Sequence, residues 1–348
     1  MIRKHHNSVC DAYELPKLIR LGENFYGASF FLMKLLPARF MLDRAREAGL
    51  INRGSLIIET TSGTFGLGLA IVCALHGYRL ILVSDPVIDV HLKRRLEDLG
   101  ACVEIVKESA SVGGYQRARL DRMAKLQEQH PNNYWPSQYH NPHNSESYAP
   151  LAELLTESIG QIDCLVGTVG SGGSMCGTSF YLRQIFSHMQ AIGIDTQGSI
   201  LFGQPDKERV LRGLGNSLMP KNLDHSTFDQ VHWISAAEAF HATRLLHRKH
   251  GLYMGGTSGA AYLVAQRWAK LNPRASVVCL LPDEGYRYSD TIYCDEWLAA
   301  NKLVLSNVQD PVLVEHPLDV GSQWSYMKWG RRTYEEVVNQ SVSSKATK

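Results

Sequence analysis

The sequence predicts an α/β fold of two units, each a parallel sheet covered by helices. Three observations predict it. From residue 55 short apolar strands alternate with helix-spaced apolar patterns, the arrangement that builds a parallel sheet. The alternation pauses at a polar and aromatic stretch over 131–142 and resumes at Ile162, which divides it into two series. Several strands break into Gly-, Ser- and Thr-rich turns that restart as helices, so ligands are expected at the carboxyl ends of the strands.

The first series runs as a strand over 55–59, a helix over 65–75 ending near Gly77, and a strand over 79–83. A charged helix over 90–99, a strand over 102–106 and a helix over 115–129 follow, before the crossing loop over 131–142. The second series has strands over 162–166, 192–195 and 276–281, with helices over 178–186, 236–250 and 259–271. The crossings fall near 37–40 and 140–150, which gives a small domain over 37–147 and a large one over 1–36 plus 148–320. Residues 321–348 break the pattern and read as a C-terminal arm with a frayed tip.

Composition narrows the function. The chain has 348 residues, 44% of them apolar, enough for a full core, and a net charge of +2 gives no basic surface for nucleic acid or anionic membrane. It has no apolar run of membrane-spanning length, and its start lacks a signal-peptide layout. Seven scattered cysteines without a C-x-x-C pair suit reduced thiols in a cytoplasmic protein, with Cys73, Cys164 and Cys279 inside apolar runs. His140 and His143 lack a third ligand and read as surface histidines, so no metal is expected. The helix carrying His241, His247 and His250 reads as a solvated face.

Chemistry concentrates in four turns. Gly167-Thr-Val-Gly-Ser-Gly-Gly-Ser174 follows a strand and opens a helix. Its freed backbone N–H groups and the positive end of the helix dipole make a seat for a phosphate, with Ser171 and Ser174 as hydroxyl donors. It lacks a Walker A lysine and the dinucleotide spacing, and alone it is as readily a plain turn. Thr61-Ser-Gly-Thr-Phe-Gly66 can hold a carboxylate at a helix start, or supply an ordinary N-cap through Thr61 or Ser62. Gly256-Thr-Ser-Gly-Ala260 lets the backbone approach a ligand, with the Thr257 hydroxyl beside it. Leu281-Pro-Asp-Glu-Gly-Tyr-Arg-Tyr288 ends the last strand, where Asp283 either tunes the cleft or caps a turn.

In this order the four segments resemble the fold-type II pyridoxal-phosphate enzymes of the cysteine synthase and cystathionine β-synthase family. Those carry T-S-G-N-x-G, G-x-G-T-G-G-T, G-[IG]-S-S-G-A and L-P-D-x-G-x-R-Y, and the resemblance runs over about 14–302. Gly113-Gly-Tyr115, Tyr134-Trp-x-x-Gln-Tyr139, 195–203 and Gly213-Leu-Gly215 are similar to the branch that makes N-(2-amino-2-carboxyethyl)-L-glutamate for staphyloferrin-type siderophores. The resemblance implies two three-layer α/β/α domains of the tryptophan synthase β-like kind, with pyridoxal 5′-phosphate in the cleft. Gly170, Ser171, Gly172, Gly173 and Ser174 would hold the phosphate. Thr257 would face the pyridine nitrogen as a weak electron sink, and Thr64 would stand beside the 3′-oxygen where the family has Asn. Thr61, Ser62 and Gly63 would hold the substrate carboxylate, with Gln138 and Gly213 nearby. The implied reaction is β-replacement on O-phosphoserine or O-acetylserine by an amine or thiol, in a cytoplasmic homodimer acting on small amino acids.

The family's cofactor-binding lysine sits in an N-P-G-x-S-x-K-D loop that this sequence lacks. Counting back from the helix matched by 37–49 puts Lys34 in that place. Counting forward from Leu18-Ile-Arg-Leu21 makes 30–35 a strand, Lys34 an ordinary strand residue, and the catalytic lysine absent. The first alignment gives an enzyme. The second gives a catalytically impaired protein of the same fold that serves as a binding or regulatory partner.

Overall fold

The computed structural model describes residues 5–111, 114–211 and 213–339. Along the chain come α1 (Val9–Tyr13), β1 (Lys17–Arg20), β2 (Phe25–Ser29), α2 (Leu35–Glu47), β3 (Leu56–Thr60) and α3 (Thr64–His76). Next are β4 (Arg79–Ser84), α4 (Val90–Asp98), β5 (Ala101–Ile105), α5 (Gly114–Gln129), β6 (Asn133–Tyr134) and α6 (His143–Glu146). Then follow α7 (Ala149–Ile159), β7 (Cys164–Thr168), α8 (Gly173–Arg183), β8 (Gln190–Asp195), β9 (Gln230–Trp233) and α9 (Ala236–His250). Last are α10 (Gly256–Leu271), β10 (Val277–Leu281), α11 (Asp295–Ala300), β11 (Val312–Leu313), β12 (Ser325–Lys328) and α12 (Tyr334–Val338).

The chain divides into two units. The smaller joins Met1–Leu15 to Phe31–Ser147; the larger joins Pro16–Phe30 to Tyr148–Lys348. The expected boundaries at 36/37 and 320/321 therefore move. The N-terminal helix and the segment over 31–36 go with the small unit, because α1 and α2 pack on each other and Arg39 of α2 pairs with Asp11 at 2.8 Å and Glu14 at 2.7 Å.

In the small unit the sheet order is β5-β4-β3-β6, all parallel. α3 is apolar all round, with every residue from Phe65 to Cys73 buried, and it ends at Gly77 in the left-handed conformation (φ 70°) that glycine adopts without strain. A buried Arg119–Asp85 pair at 3.3 Å ties α5 to the end of β4.

In the large unit the order is β1-β2-β10-β7-β8-β9-β12-β11. Its centre is parallel, as expected, and towards its two edges β1 runs antiparallel to β2 and β12 antiparallel to β9. α9 and α10 cover one face around the buried Tyr262, Ala265 and Trp268. The segment expected to be a surface arm supplies β12 to this sheet, next to β11, which precedes that segment. Trp324 and Trp329, the two tryptophans of that segment, are buried inside the unit. Trp324 Nε1 donates to His232 Nδ1 at 2.9 Å, and the Trp329 ring meets Phe202 at 5.1 Å. Gly113 and the arm's last residues, 340–348, lie outside the described residues.

Candidate active site

The glycine run of the large unit forms the strand–turn–helix that the sequence predicts. β7 ends at Thr168 and α8 begins at Gly173, five residues before the expected helix. Gly172 is the N-cap with φ 84°, and a methyl there would come 2.6 Å from the Asn222 carbonyl oxygen, so only glycine fits. No side chain caps α8, which leaves its first N–H groups to a ligand. Ser171 and Ser174 are buried beside them. Gly170 approaches the Gly213 carbonyl, and Gly213, at φ 89°, packs on Thr257. The structure thus brings Gly170–Ser174, Gly213 and Thr257 together within the large unit.

α10 starts at Gly256, three residues earlier than expected, with Thr257 in its first turn. The Thr257 hydroxyl is 4% exposed as a residue and has no hydrogen-bond partner among the described residues. An orphaned buried hydroxyl at a helix start is a group waiting for a ligand.

The small unit carries the rest. β3 runs into Thr61, and α3 begins after Gly63, which is its N-cap without a side-chain hydrogen bond. The ordinary N-cap by Thr61 or Ser62 is therefore not formed: Thr61 Oγ1 accepts the Gly63 N–H at 3.1 Å instead. Thr64 is the first residue of α3. Lys34 stands immediately before α2 with helical backbone angles (φ −71°, ψ −8°), and its carbonyl accepts the Ala38 N–H at 3.2 Å. The strand reading of 30–35 is overturned, since β2 ends at Ser29. Pro37 sits in the first turn of α2, where its missing N–H has no intrahelical acceptor to lose. α2 lies on α3 so closely that a methyl on Gly68 would come 2.7 Å from the Lys34 carbonyl oxygen. Burial lowers the Lys34 amine to about 8.

Gln138 is buried in the loop after β6, and its position depends on a residue to which sequence reasoning gave no role. Glu59, 1% exposed at the end of β3, accepts Trp135 Nε1–H at 2.9 Å, the Thr60 N–H at 2.8 Å and the Gln138 N–H at 3.3 Å. Burial raises its carboxyl to about 7 against the pull of those donors. The signal was an acid inside an otherwise apolar strand. Asp195, at the end of β8, is a second such acid, fully buried and raised to about 7 by burial, with Oδ1 accepting the Thr196 N–H at 2.8 Å.

His140 is exposed and His143 pairs with Glu146 at 2.6 Å; among the described residues no group of three metal-ligating side chains forms. The histidines of α9 are half-buried rather than solvated: His241 Nδ1 lies 3.0 Å from the Leu305 carbonyl, and His247 packs against Tyr253 and Tyr293. All seven cysteines are free.

Residues 32–283 match the family model described as "Pyridoxal-phosphate dependent enzyme". The chain is 35% identical over 269 residues, 76% of its length and 79% of the other, to an N-(2-amino-2-carboxyethyl)-L-glutamate synthase of Cupriavidus metallidurans. A protein of the same name from Ralstonia nicotianae is 35% identical over 266 residues, with the same shares of both chains. Among solved structures, an O-acetylserine-dependent cystathionine β-synthase from Helicobacter pylori superposes with a TM-score of 0.76 at 26% identity, covering 83% of this chain and 99% of that one. A hydrogen sulfide-producing enzyme from Fusobacterium nucleatum gives 0.75 at 25%, covering 82% and 100%.

Proposed function

The chain belongs to the pyridoxal-phosphate-dependent enzymes, and from that premise we propose that it catalyses β-replacement on an O-activated L-serine, O-phosphoserine or O-acetylserine, with the amine of glutamate as the incoming nucleophile. The observation that carries this reading is the 35% identity, over three quarters of the chain, to two proteins named for that product. A sulfide or thiol nucleophile is the second reading, favoured by the sulfide-producing structural relative. The work of such an enzyme is amino-acid or siderophore-precursor synthesis, as a homodimer in the cytoplasm. Among the described residues no helix is long and apolar enough to cross a membrane.

The residues present fit the cofactor: α8 offers uncapped N–H groups to a phosphate, and Thr257 offers a buried hydroxyl without a partner. When bound, pyridoxal 5′-phosphate withdraws electrons from the bonds at Cα of the amino acid. The chain's own groups do the rest. In the large unit Gly170–Ser174 would hold the phosphate by backbone N–H groups and hydroxyls, Thr257 would meet the ring nitrogen, and Gly213 would serve the substrate. In the small unit Thr64 would meet the 3′-oxygen, and Thr61, Ser62 and Gly63, with Gln138, would hold the substrate carboxylate. Lys34, whose amine is lowered to about 8, is partly unprotonated at neutral pH, so it can bind the aldehyde and take the Cα proton.

The test is direct. Purified protein loaded with pyridoxal 5′-phosphate is given O-phosphoserine or O-acetylserine with glutamate or sulfide, and phosphate or acetate release is followed alongside product mass. Release that requires glutamate and yields the joined amino acid supports the proposal. Release with sulfide alone supports the second reading, and no release with either donor overturns both.

A further inference from the structure

Glu59 has no part in the roles assigned above, yet it holds the backbone of a residue that does. In the small unit β3 pairs with β6 through Leu56–Asn133 and Ile57–Tyr134, and the ladder stops there. Past Tyr134 the chain runs on as Trp135-Pro136-Ser137-Gln138, and Pro136 has no N–H to offer a sheet. The Glu59 side chain takes over as the acceptor. Its Oε1 accepts Trp135 Nε1–H at 2.9 Å, besides the Thr60 N–H, and its Oε2 accepts the Gln138 N–H at 3.3 Å. The other end of the same residue is held too, since the fully buried Asn144 donates Nδ2–H to the Gln138 carbonyl at 2.6 Å. Just before Gln138, Ser137 stands at φ 55°, a left-handed backbone that a residue with a side chain adopts only where its surroundings impose it.

A carboxylate accepts on both oxygens, whereas an amide accepts on one and would set its NH2 against either the indole N–H or the Gln138 N–H. The donors on the two sides of Glu59 therefore call for the acid itself. We propose that Glu59 is a positioning residue for the activated serine: by holding Trp135 and the Gln138 backbone, it fixes the point from which the Gln138 side chain reaches the substrate carboxylate. The inference rests on the reading that Gln138 meets that carboxylate. Glu59 touches no reacting atom and works through Gln138. Its loss should weaken binding of the donor amino acid without slowing the chemistry that follows.

The experiment uses the full chain loaded with pyridoxal 5′-phosphate at pH 8, above the value of about 7 to which burial raises the Glu59 carboxyl. Wild type, Glu59→Gln, Trp135→Phe, Gln138→Ala and the double variant Glu59→Gln/Gln138→Ala are compared for kcat and KM with O-phosphoserine and O-acetylserine. Affinity for L-serine is read by calorimetry and affinity for the cofactor by fluorescence. Glu59→Gln is expected to weaken donor KM and serine affinity about ten-fold, with kcat and cofactor affinity held within about two-fold. Trp135→Phe keeps an aromatic ring and removes one N–H, so it should follow in the same direction by a few-fold; it carries the test if Glu59→Gln does not fold. The double variant should be no weaker than Gln138→Ala alone. If Gln138→Ala weakens the donor while Glu59→Gln and Trp135→Phe leave it unchanged, the positioning role is wrong and the Gln138 reading stands. A donor indifferent to Gln138→Ala removes that reading and the inference with it. Losses that add in full in the double variant, or that fall equally on kcat and cofactor affinity, make Glu59 a general structural acid and overturn the proposal. The serine measurement reads the clamp even in a protein that releases neither phosphate nor acetate.

Discussion

Lys34 and Glu59 are two titratable side chains of the small unit on which burial acts in opposite directions, and each makes a prediction that pH can test. The neutral amine of Lys34 is the reactive form, and its fraction grows as pH rises through about 8. Covalent capture of pyridoxal 5′-phosphate, trapped by borohydride and located by mass on the Lys34 peptide, should therefore accelerate roughly twenty-fold between about pH 6.5 and 8.5 and level off above. Lys34→Ala should abolish the adduct while leaving the protein folded; an adduct that persists on another lysine removes Lys34 from the site. Glu59 is the converse case. Its carboxyl is raised to about 7 in the folded protein from an ordinary value near 4.5, so the folded state binds the extra proton between those values. Stability from this group is complete below about 4.5 and lost as pH rises through about 7. Against Glu59→Gln, whose amide does not titrate, wild type should lose about 2 kcal/mol between about pH 5 and 7.5, read by urea denaturation at each pH. A constant difference would mean that Glu59 is ionised throughout.

The contact of α2 with α3 shows how an element places a residue. Gly68 is the point of closest approach, and two effects of Gly68→Ala compete. Helix propensity favours alanine by up to about 1 kcal/mol. The methyl would meet the Lys34 carbonyl oxygen at 2.7 Å and Ala38 Cβ at 3.1 Å, and overpacking against backbone costs about 1–3 kcal/mol. The clash should win: a lower Tm and slower cofactor capture at Lys34 are expected, and a stabilised variant would show that the two helices have room. Gly68 looked unremarkable in the sequence, because one apolar helix residue says nothing about which backbone it will touch. Other elements were plain. β3, β4 and α3 lie within a residue or two of their predicted spans, since continuous apolar runs bounded by Gly and Ser admit little else. α8 and α10 begin earlier than expected because glycine was read as a turn, whereas here Gly173 and Gly256 are helical and leave N–H groups free. The segment over 30–35 was ambiguous for the usual reason: a short apolar run fits strand and helix alike, and only packing decides. The glycine seat was legible because its chemistry is written in backbone. Glu59 was less so, because its importance lies in partners distant in sequence.

At the scale of the whole molecule, the final strands correct the largest misreading. β12 is four residues, Ser-Tyr-Met-Lys, too short and too polar to announce itself, yet it pairs with β9 through Ser325–Trp233, Tyr326–His232, Met327–Val231 and Lys328–Gln230. Without it, β9 would become the edge of the large sheet, an unpaired row of backbone groups that invites association. Trp329 anchors the chain just beyond β12: it is fully buried, meets Phe202 and His225 at 5.1 and 5.6 Å, and donates Nε1–H to the Arg332 carbonyl at 2.8 Å. An arm lying on the surface would tolerate Trp329→Ala within about 0.5 kcal/mol. A core tryptophan should lose about 3–5 kcal/mol. The two units differ in which should notice, because the large unit alone contains this sheet and the small unit has its own core around α2, α3 and β3. Hydrogen exchange followed peptide by peptide should therefore show protection falling in β8 and β9 of Trp329→Ala while β3 and β4 keep theirs. Uniform loss across both units would mean that they unfold as one, and no loss in either would return the segment to the surface.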